Sequence, residues 1–469
     1  MRFTKQRESR IMSKIYLSFL FVFYFFTFSL AGRVVAVYEP NSQPNNRFGI
    51  HIISEADLDN AAKLVNSNGG QWGYVTMVIT EDERQLDRWQ AVFRQLNRLK
   101  LIPIIRLATK AENNHWKKPE LNQAPVWAEF LNQLPWPTQN RYVVLFNEPN
   151  HSKEWGQEIN PEEYAEILVE YSKKLKNSSD QFFILPAGLD ASASNQSTIT
   201  MDEVVFLNRM LSSRPDVFNY IDGWTSHSYP QPNFQGPATN QGRGTIKTFD
   251  WELSLLKQLG VNKTLPVFIT ETGWNQQNLT EENLNSYYQI AFKTAWSDQR
   301  IIAVTPFLLN YQSEPFTNFS WQVLGTTDFY PHYYQVQNLP KISGSPCQDH
   351  QAEIIGQIPS DLIIESNYEF ILKIKNTGQS IINQNDKFLF KFKTVPELKI
   401  KTSPLPVIEP LQNGQVNLEL NGPAEKQSIQ LEYWLEKDKQ IISPVQRQTI
   451  TFHRLLSLRG FMVWLKLLE

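Results

Sequence analysis

A chain of 469 residues exceeds one hydrophobic core of ordinary size, and its length suggests a barrel of about 250 residues or more with a smaller second domain. The net charge of −2, with both signs interspersed and no basic patch carrying interleaved aromatics, speaks against a nucleic-acid partner. Cys347 is the only cysteine, so neither an intrachain disulfide nor a cysteine-based metal cluster can form.

The chain opens with Arg2, Lys5, Arg7, Arg10 and Lys14, then an apolar run from Ile15 to Leu30 and the small-x-small pattern Ser29-Leu30-Ala31. Residues 1–31 read as a signal peptide or, if uncleaved, as a signal anchor tying the chain to a membrane. On either reading the body is exported, to an extracellular, periplasmic or cell-surface location.

Between residues 45 and 338 short apolar runs alternate with helical patterns, the mark of a parallel sheet wound with crossover helices. The predicted strands are Phe48-His51, Trp72-Ile79, Ile102-Leu107, Tyr142-Phe146, Phe182-Ala187, Ile221-Ser226, Pro266-Thr270 and Val304-Leu309. Between them lie faces of helical period such as Leu86, Trp89, Phe93 and Leu96, and start signals at Asn160-Pro161-Glu162-Glu163 and Thr280-Glu281-Glu282. Eight such units, with no glycine-rich nucleotide-binding turn after any strand, predict an α/β chain folded as a closed (β/α)8 TIM barrel.

A Pro- and Gly-bearing linker is expected over residues 339–350. From 351 to 452 the period becomes two, in Tyr368-Lys375, Lys387-Lys393, Gln415-Leu420, Ile429-Leu435 and Gln448-Phe452, which predicts a small all-β sandwich. The phrase Phe370 to Gly378 resembles immunoglobulin-like modules appended to exported bacterial enzymes. Residues 453–469 form an apolar tail interrupted by Arg454, Arg459 and Lys466, expected to dock back on the protein, with a membrane surface or an accident of the reading frame as the other readings.

Barrel enzymes keep their reactive groups where strands end, because the loops there open onto one pocket. The fourth strand ends Phe146-Asn147-Glu148-Pro149-Asn150 and the seventh ends Thr270-Glu271-Thr272-Gly273-Trp274. Strands four and seven of an eight-strand ring face each other across the mouth, so the two carboxylates can meet on one bound sugar. Retaining glycoside hydrolysis requires such a pair roughly 5 Å apart, one group protonating the departing oxygen and the other attacking the anomeric carbon.

Asn147-Glu148-Pro149 and Thr270-Glu271 resemble the strand-four and strand-seven motifs of glycoside hydrolase clan A. Within the clan the first phrase is closest to the β-xylosidase and α-iduronidase family, and Glu271-Thr272-Gly273-Trp274 is more like the β-1,3-glucanase family, so no single family is assigned. The resemblance implies a glycosidase acting on a β-linked oligo- or polysaccharide through a covalent intermediate. It further implies Glu148 as acid/base, Glu271 as nucleophile, and Asn147 as the residue that hydrogen-bonds the sugar 2-hydroxyl.

His227 and Tyr229, two apart at the end of strand six, point to the same side. By the same resemblance Tyr229 would hydrogen-bond the nucleophile and His227 would touch the sugar or the acid/base. Trp274 and Trp321 are candidate stacking platforms, with Trp116 behind them. Arg106, ending strand three, is a candidate for holding the nucleophile ionised, although many clan members bring their arginine from strand two. The tryptophan such enzymes carry at the end of strand eight is replaced by Leu309-Asn310-Tyr311. No metal-binding or cofactor motif is present, and oligomeric state is left open. Two other functions stay compatible with these residues: a transglycosidase using the same pair, and a non-catalytic carbohydrate-binding surface protein on a glycosidase-like barrel.

Overall fold

The computed structural model describes residues 37–468, so the expected export segment at 1–31 lies outside the described residues. Eight strands share one part of the chain: β1 (Gly49–His51), β2 (Gly73–Thr80), β3 (Leu101–Ala108), β4 (Arg141–Leu145), β5 (Phe182–Pro186), β6 (Trp224–His227), β7 (Val267–Glu271) and β8 (Ile301–Val304). Each leads into one helix: α1 (Leu58–Val65), α2 (Leu86–Arg98), α3 (Ala124–Asn132), α4 (Pro161–Ser178), α5 (Glu203–Ser213), α6 (Thr248–Gln258), α7 (Glu281–Lys293) and α8 (Pro331–Gln337). The strand ends therefore all open the same way.

β1 to β5 pair in parallel in chain order, as do β6 to β8. Two seams turn these sheets into a ring. Phe48 bridges Val304 beside β1 and β8. Between β5 and β6 the joint is Asp222, whose amide donates to Ile184 O at 2.8 Å while its carboxylate accepts Ile184 N–H at 2.8 Å.

The local reasons are legible. β2, β3, β5 and β7 are buried on both faces, which is why they read as unbroken apolar runs. The Asn160 side chain accepts from Glu163 N–H at the start of α4, with Pro161 in the first turn, and Thr280 accepts from Asn283 N–H at the start of α7. α2 buries Trp89, Phe93 and Leu96 against the sheet.

One strand is displaced from its expected place. Residues 304–309 were the apolar run predicted for the eighth strand, but Ile301–Val304 occupies it, paired with Val267 to Ile269 of β7. Regular pairing stops there because Pro306 has no N–H to donate; Phe307 N–H still reaches Thr272 O at 2.8 Å and Leu309 N–H reaches His51 O at 2.9 Å, while the Phe307 and Leu308 side chains join a small apolar cluster with Phe319.

After the barrel, β9 (Ala352–Ile355), β10 (Asp361–Ile363), β11 (Asn367–Asn376), β12 (Phe388–Val395), β13 (Ile400–Thr402), β14 (Asn413–Asn421), β15 (Ser428–Lys437), β16 (Gln440–Ile441) and β17 (Gln446–His453) form an all-β unit. Its sheets run β9-β11-β14-β13 and β10-β17-β15-β12. Leu372, Ile374, Val416 and Leu418 of the first and Leu431, Tyr433, Leu435 and Ile450 of the second belong to one buried cluster. That core is separate from the barrel's.

The stretch between them is not a loose tether. Gln139 N–H donates to Cys347 O at 2.8 Å, Gln348 Nε2 to Pro137 O at 2.7 Å, and Gln379 Nε2 to Thr138 O at 2.9 Å. These contacts sit just before β4, at the ends of the strands remote from Glu148 and Glu271. A last helix, α9 (Leu458–Leu468), buries Val463 and Gly460 and leaves Phe461, Met462, Trp464 and Leu465 exposed. It docks through one narrow face, not through the whole apolar tail. No helix among the described residues is long and apolar enough to cross a membrane.

Candidate active site

At the end of β4 the backbone turns sharply, with Phe146 at φ 73° and Glu148 at φ 29°, a left-handed region that costs a non-glycine residue about 1–3 kcal/mol. The turn is held by Glu148 N–H donating to Gly188 O at 3.0 Å, and it aims the Glu148 carboxyl across the mouth. Glu271 closes β7, nearly buried, and lies in register with His227 at the end of β6.

These three side chains converge: Glu148, His227 and Glu271 each place one polar atom within 4.8 Å of the others. His227 Nδ1 lies 2.7 Å from Glu148 Oε1 and 3.9 Å from Glu271 Oε2. Arg106 Nη1 donates to Glu271 Oε1 at 3.3 Å, and Tyr229 Oη donates to Oε2 at 3.1 Å. Arg106 thus reaches the nucleophile candidate from β3.

Burial disfavours charge on Glu271, yet His227, Arg106 and His51 together, with the Tyr229 hydroxyl, hold its carboxyl below the usual range. For His227 burial again opposes charging, but Glu271 and the hydrogen bond to Glu148 outweigh it and raise the imidazole above its ordinary value. Burial pushes the Tyr229 phenol well up, with Glu271 and Glu148 adding to it, so it is a hydrogen-bond donor here.

A cation could in principle use the spacing of Glu148, His227 and Glu271. Arg106, 3.3 Å from Glu271, already puts a fixed positive charge there, and Tyr229 takes the other oxygen. The donor set suits an organic substrate better than an ion.

Asn147 sits half-buried beside the cluster, its Nδ2 donating to Glu154 Oε2 at 3.1 Å. Its Oδ1 is buried without a partner. Trp274 and Trp321 are corrected: each is 1% exposed and part of the main core. The Trp274 indole donates to Gly236 O at 2.8 Å and packs on Tyr288 and Trp296, and Trp321 packs on Tyr288 and His332. Gly273 causes this for Trp274. Its φ of 130° swings the chain off the strand, with Phe307 O and the Tyr288 hydroxyl close against it. Trp116 is half-buried, on a short ribbon of Ala111–Glu112 with His115–Trp116.

A separate ring cluster stands beside Glu271: Tyr229, whose hydroxyl reaches it, packs with Phe234, Phe307 and Phe319, and Phe316 is exposed at the cluster's edge. Phe307, close after β8, stands where the sequence lacked the expected aromatic, edge-on to His51 at 5.3 Å. Sequence reasoning missed His51, which ends β1, is fully buried with both ring nitrogens unpartnered, and is pushed down to about 4 by burial. The strand-end rule applied to β1 would have found it. Glu154 was also missed, because only the folded loop returns it to Asn147.

No protein-family model matches the chain, and no curated protein matches it. Among solved structures it is similar to an endo-β-1,4-glucanase from Xanthomonas axonopodis pv. citri, at 13% identity over 62% of this chain and 97% of that one, TM-score 0.42. A glycoside hydrolase family 30 subfamily 8 xylanase from Clostridium acetobutylicum matches at 11% identity over 81% and 97%, TM-score 0.37. A family 51 α-L-arabinofuranosidase from Bifidobacterium longum matches at 12% identity over 71% and 78%, TM-score 0.35. These neighbours are clan A glycoside hydrolases of several families.

Proposed function

We propose that this chain is a retaining glycoside hydrolase of a β-linked oligo- or polysaccharide, with Glu148 as acid/base and Glu271 as nucleophile. The observation that carries the proposal is the meeting of two strand-end carboxyls, an oxygen of each lying within 4.8 Å of the other, in keeping with the roughly 5 Å spacing that double displacement needs.

The chemistry follows from the surroundings of each group. Glu271, kept ionised by His227, Arg106 and its other neighbours, attacks the anomeric carbon as Glu148 delivers a proton to the departing oxygen. Water then enters, Glu148 takes its proton, and attack from the leaving-group side restores the starting configuration. His227 hydrogen-bonds Glu148 and Tyr229 orients Glu271, while the resemblance to clan A assigns Asn147 to the sugar 2-hydroxyl. The phenylalanine-rich mouth supplies apolar faces for pyranose rings in the part first assigned to Trp274 and Trp321.

The sandwich is read as an immunoglobulin-like accessory module, and the apolar segment at 1–31 as an export signal or membrane anchor. Transglycosylation through the same intermediate is the second reading, favoured by the apolar mouth, which would shelter the intermediate from water. A screen of 4-nitrophenyl β-glycosides and β-linked polysaccharides, with the anomer of the first product followed by NMR, decides. Retained configuration is expected; a first product of inverted configuration overturns the mechanism, and inertness on every substrate leaves the non-catalytic binding reading.

A further inference from the structure

Glu154 is a carboxyl close to Glu148 and Glu271 that the reaction above does not use. It lies on a single turn, Ser152–Glu154, between β4 and α4, and its Oε2 accepts from Asn147 Nδ2 at 3.1 Å. Asn147 precedes the acid/base, and its other polar atom, Oδ1, is buried with nothing to accept from. An orphaned acceptor beside two reacting groups is a place where a substrate hydroxyl fits.

We propose, building on the hydrolase reading, that Glu154 is a positioning residue: it fixes the Asn147 carboxamide with its oxygen free to accept a hydroxyl proton from the sugar held between Glu148 and Glu271. The argument is one of donors and acceptors. A carboxamide offers two N–H donors at one end and an oxygen at the other, and rotation by half a turn exchanges them. An ionised carboxylate can only accept, so it binds the NH2 end and repels the oxygen. A protonated carboxyl can also donate, and so tolerates either end. Control over Asn147 therefore belongs to the ionised form of Glu154.

The groups facing Glu154 are Arg106 from β3, Glu148 and His151 from the loop after β4, and Glu271 from β7. Burial is the main influence and Arg106 opposes it, while Glu148 and Glu271 reinforce it, pushing the carboxyl up to about 7. The orientation of Asn147 is accordingly fixed as pH rises through about 7 and relaxed below it. The hydroxyl that meets Asn147 must act as a donor, so a sugar lacking that hydroxyl gains nothing from Glu154.

The test uses the full chain and two readouts. In 1H–15N spectra without substrate, the Asn147 side-chain NH2 should shift with a midpoint near pH 7 in the wild type and show no such step in Glu154→Gln. On 4-nitrophenyl β-glucoside and β-xyloside, Glu154→Gln should lower kcat/KM about tenfold, the loss expected for one hydrogen bond to a charged group. The acid-side step near pH 7 in kcat/KM should vanish with it. In an Asn147→Ala background the same substitution should cost less than about twofold, since coupled residues are not additive. An Asn147 signal that does not titrate, or an undiminished cost in the Asn147→Ala background, overturns the role. A protein inert on every glycoside but with a titrating Asn147 keeps the positioning role and overturns the hydrolase reading instead.

Discussion

Gly188 is packed so closely against His227 that a β-carbon placed on it would overlap the imidazole ring. The backbone of Gly188 also accepts Glu148 N–H at 3.0 Å, so one residue shapes both members of the Glu148–His227 pair. Gly188→Ala should therefore push His227 off its 2.7 Å contact with Glu148. We expect kcat to fall about tenfold or more, the lower range for a disturbed general acid, with a cooperative melt preserved. Unchanged kcat would show that His227 has no bearing on the acid/base.

The two carboxylates should fail differently, because acid assistance matters only for poor leaving groups. Glu148→Ala should lose most activity on natural glycosides yet still form the covalent intermediate from aryl substrates of acidic phenols. Added azide should intercept it with retained configuration. Glu271→Ala should lose both classes, and azide entering the vacated space should give the inverted product. Exchanged outcomes would exchange the roles.

His227 offers a pH signature whose sign can be worked out. Its folded pKa is raised above the ordinary value of about 6.5, so its contribution to stability is complete below about 6.5 and is lost as pH rises through the folded value. Glu271 behaves oppositely. Its depressed pKa gives stability above the ordinary carboxylate value, lost as pH falls through the folded one. In imidazole NMR titrations His227 should move to lower pKa in Glu271→Gln and in Glu148→Gln. A midpoint unmoved in both variants contradicts the electrostatic assignment.

Gln379 of the sandwich donates to Thr138 O at 2.9 Å, accepts Asp349 N–H at 3.0 Å, and is largely buried. Gln379→Ala strands these barrel and linker groups and should destabilise the chain by about 1–3 kcal/mol. Because the contact lies at the strand ends remote from Glu148 and Glu271, kcat and KM on aryl glycosides should stay within twofold or so of wild type. Denaturant melts and steady-state kinetics on the same preparation test both halves.

The pair proposed as catalytic was legible because each Glu stands at or within three residues of the end of its own apolar strand, so position along the chain gives position at the mouth. Trp274 was misread because that rule ends at Gly273, whose positive φ redirects the next side chain into the core. β8 was placed late for a related reason: Phe307 to Leu309 is as apolar as Ile301 to Val304, and only Pro306, which lacks one ladder donor, marks where regular pairing stops. Glu154 carries no such mark. A short turn folds it back on Asn147, and spacing along the chain does not encode that return.

The joint at Asp222 gives the ring a preferred place to open. Glu148 after β4 and Glu271 at the end of β7 lie on opposite sides of it, since β5 and β6 are the strands it joins. Within each sheet the strands are laced together, and the β1–β8 seam is held by Val304 N–H to Arg47 O at 2.9 Å, His51 N–H to Pro306 O at 3.0 Å and Leu309 N–H to His51 O at 2.9 Å, but here one residue, itself anchored by Lys176 at 2.8 Å, closes the gap. Heat that loosens this joint separates the carboxylates while both sheets keep their own hydrogen bonds. Inactivation should then run ahead of the loss of helix and strand, and an early, reversible loss of turnover would be a property of one aspartate, not of the barrel as a whole.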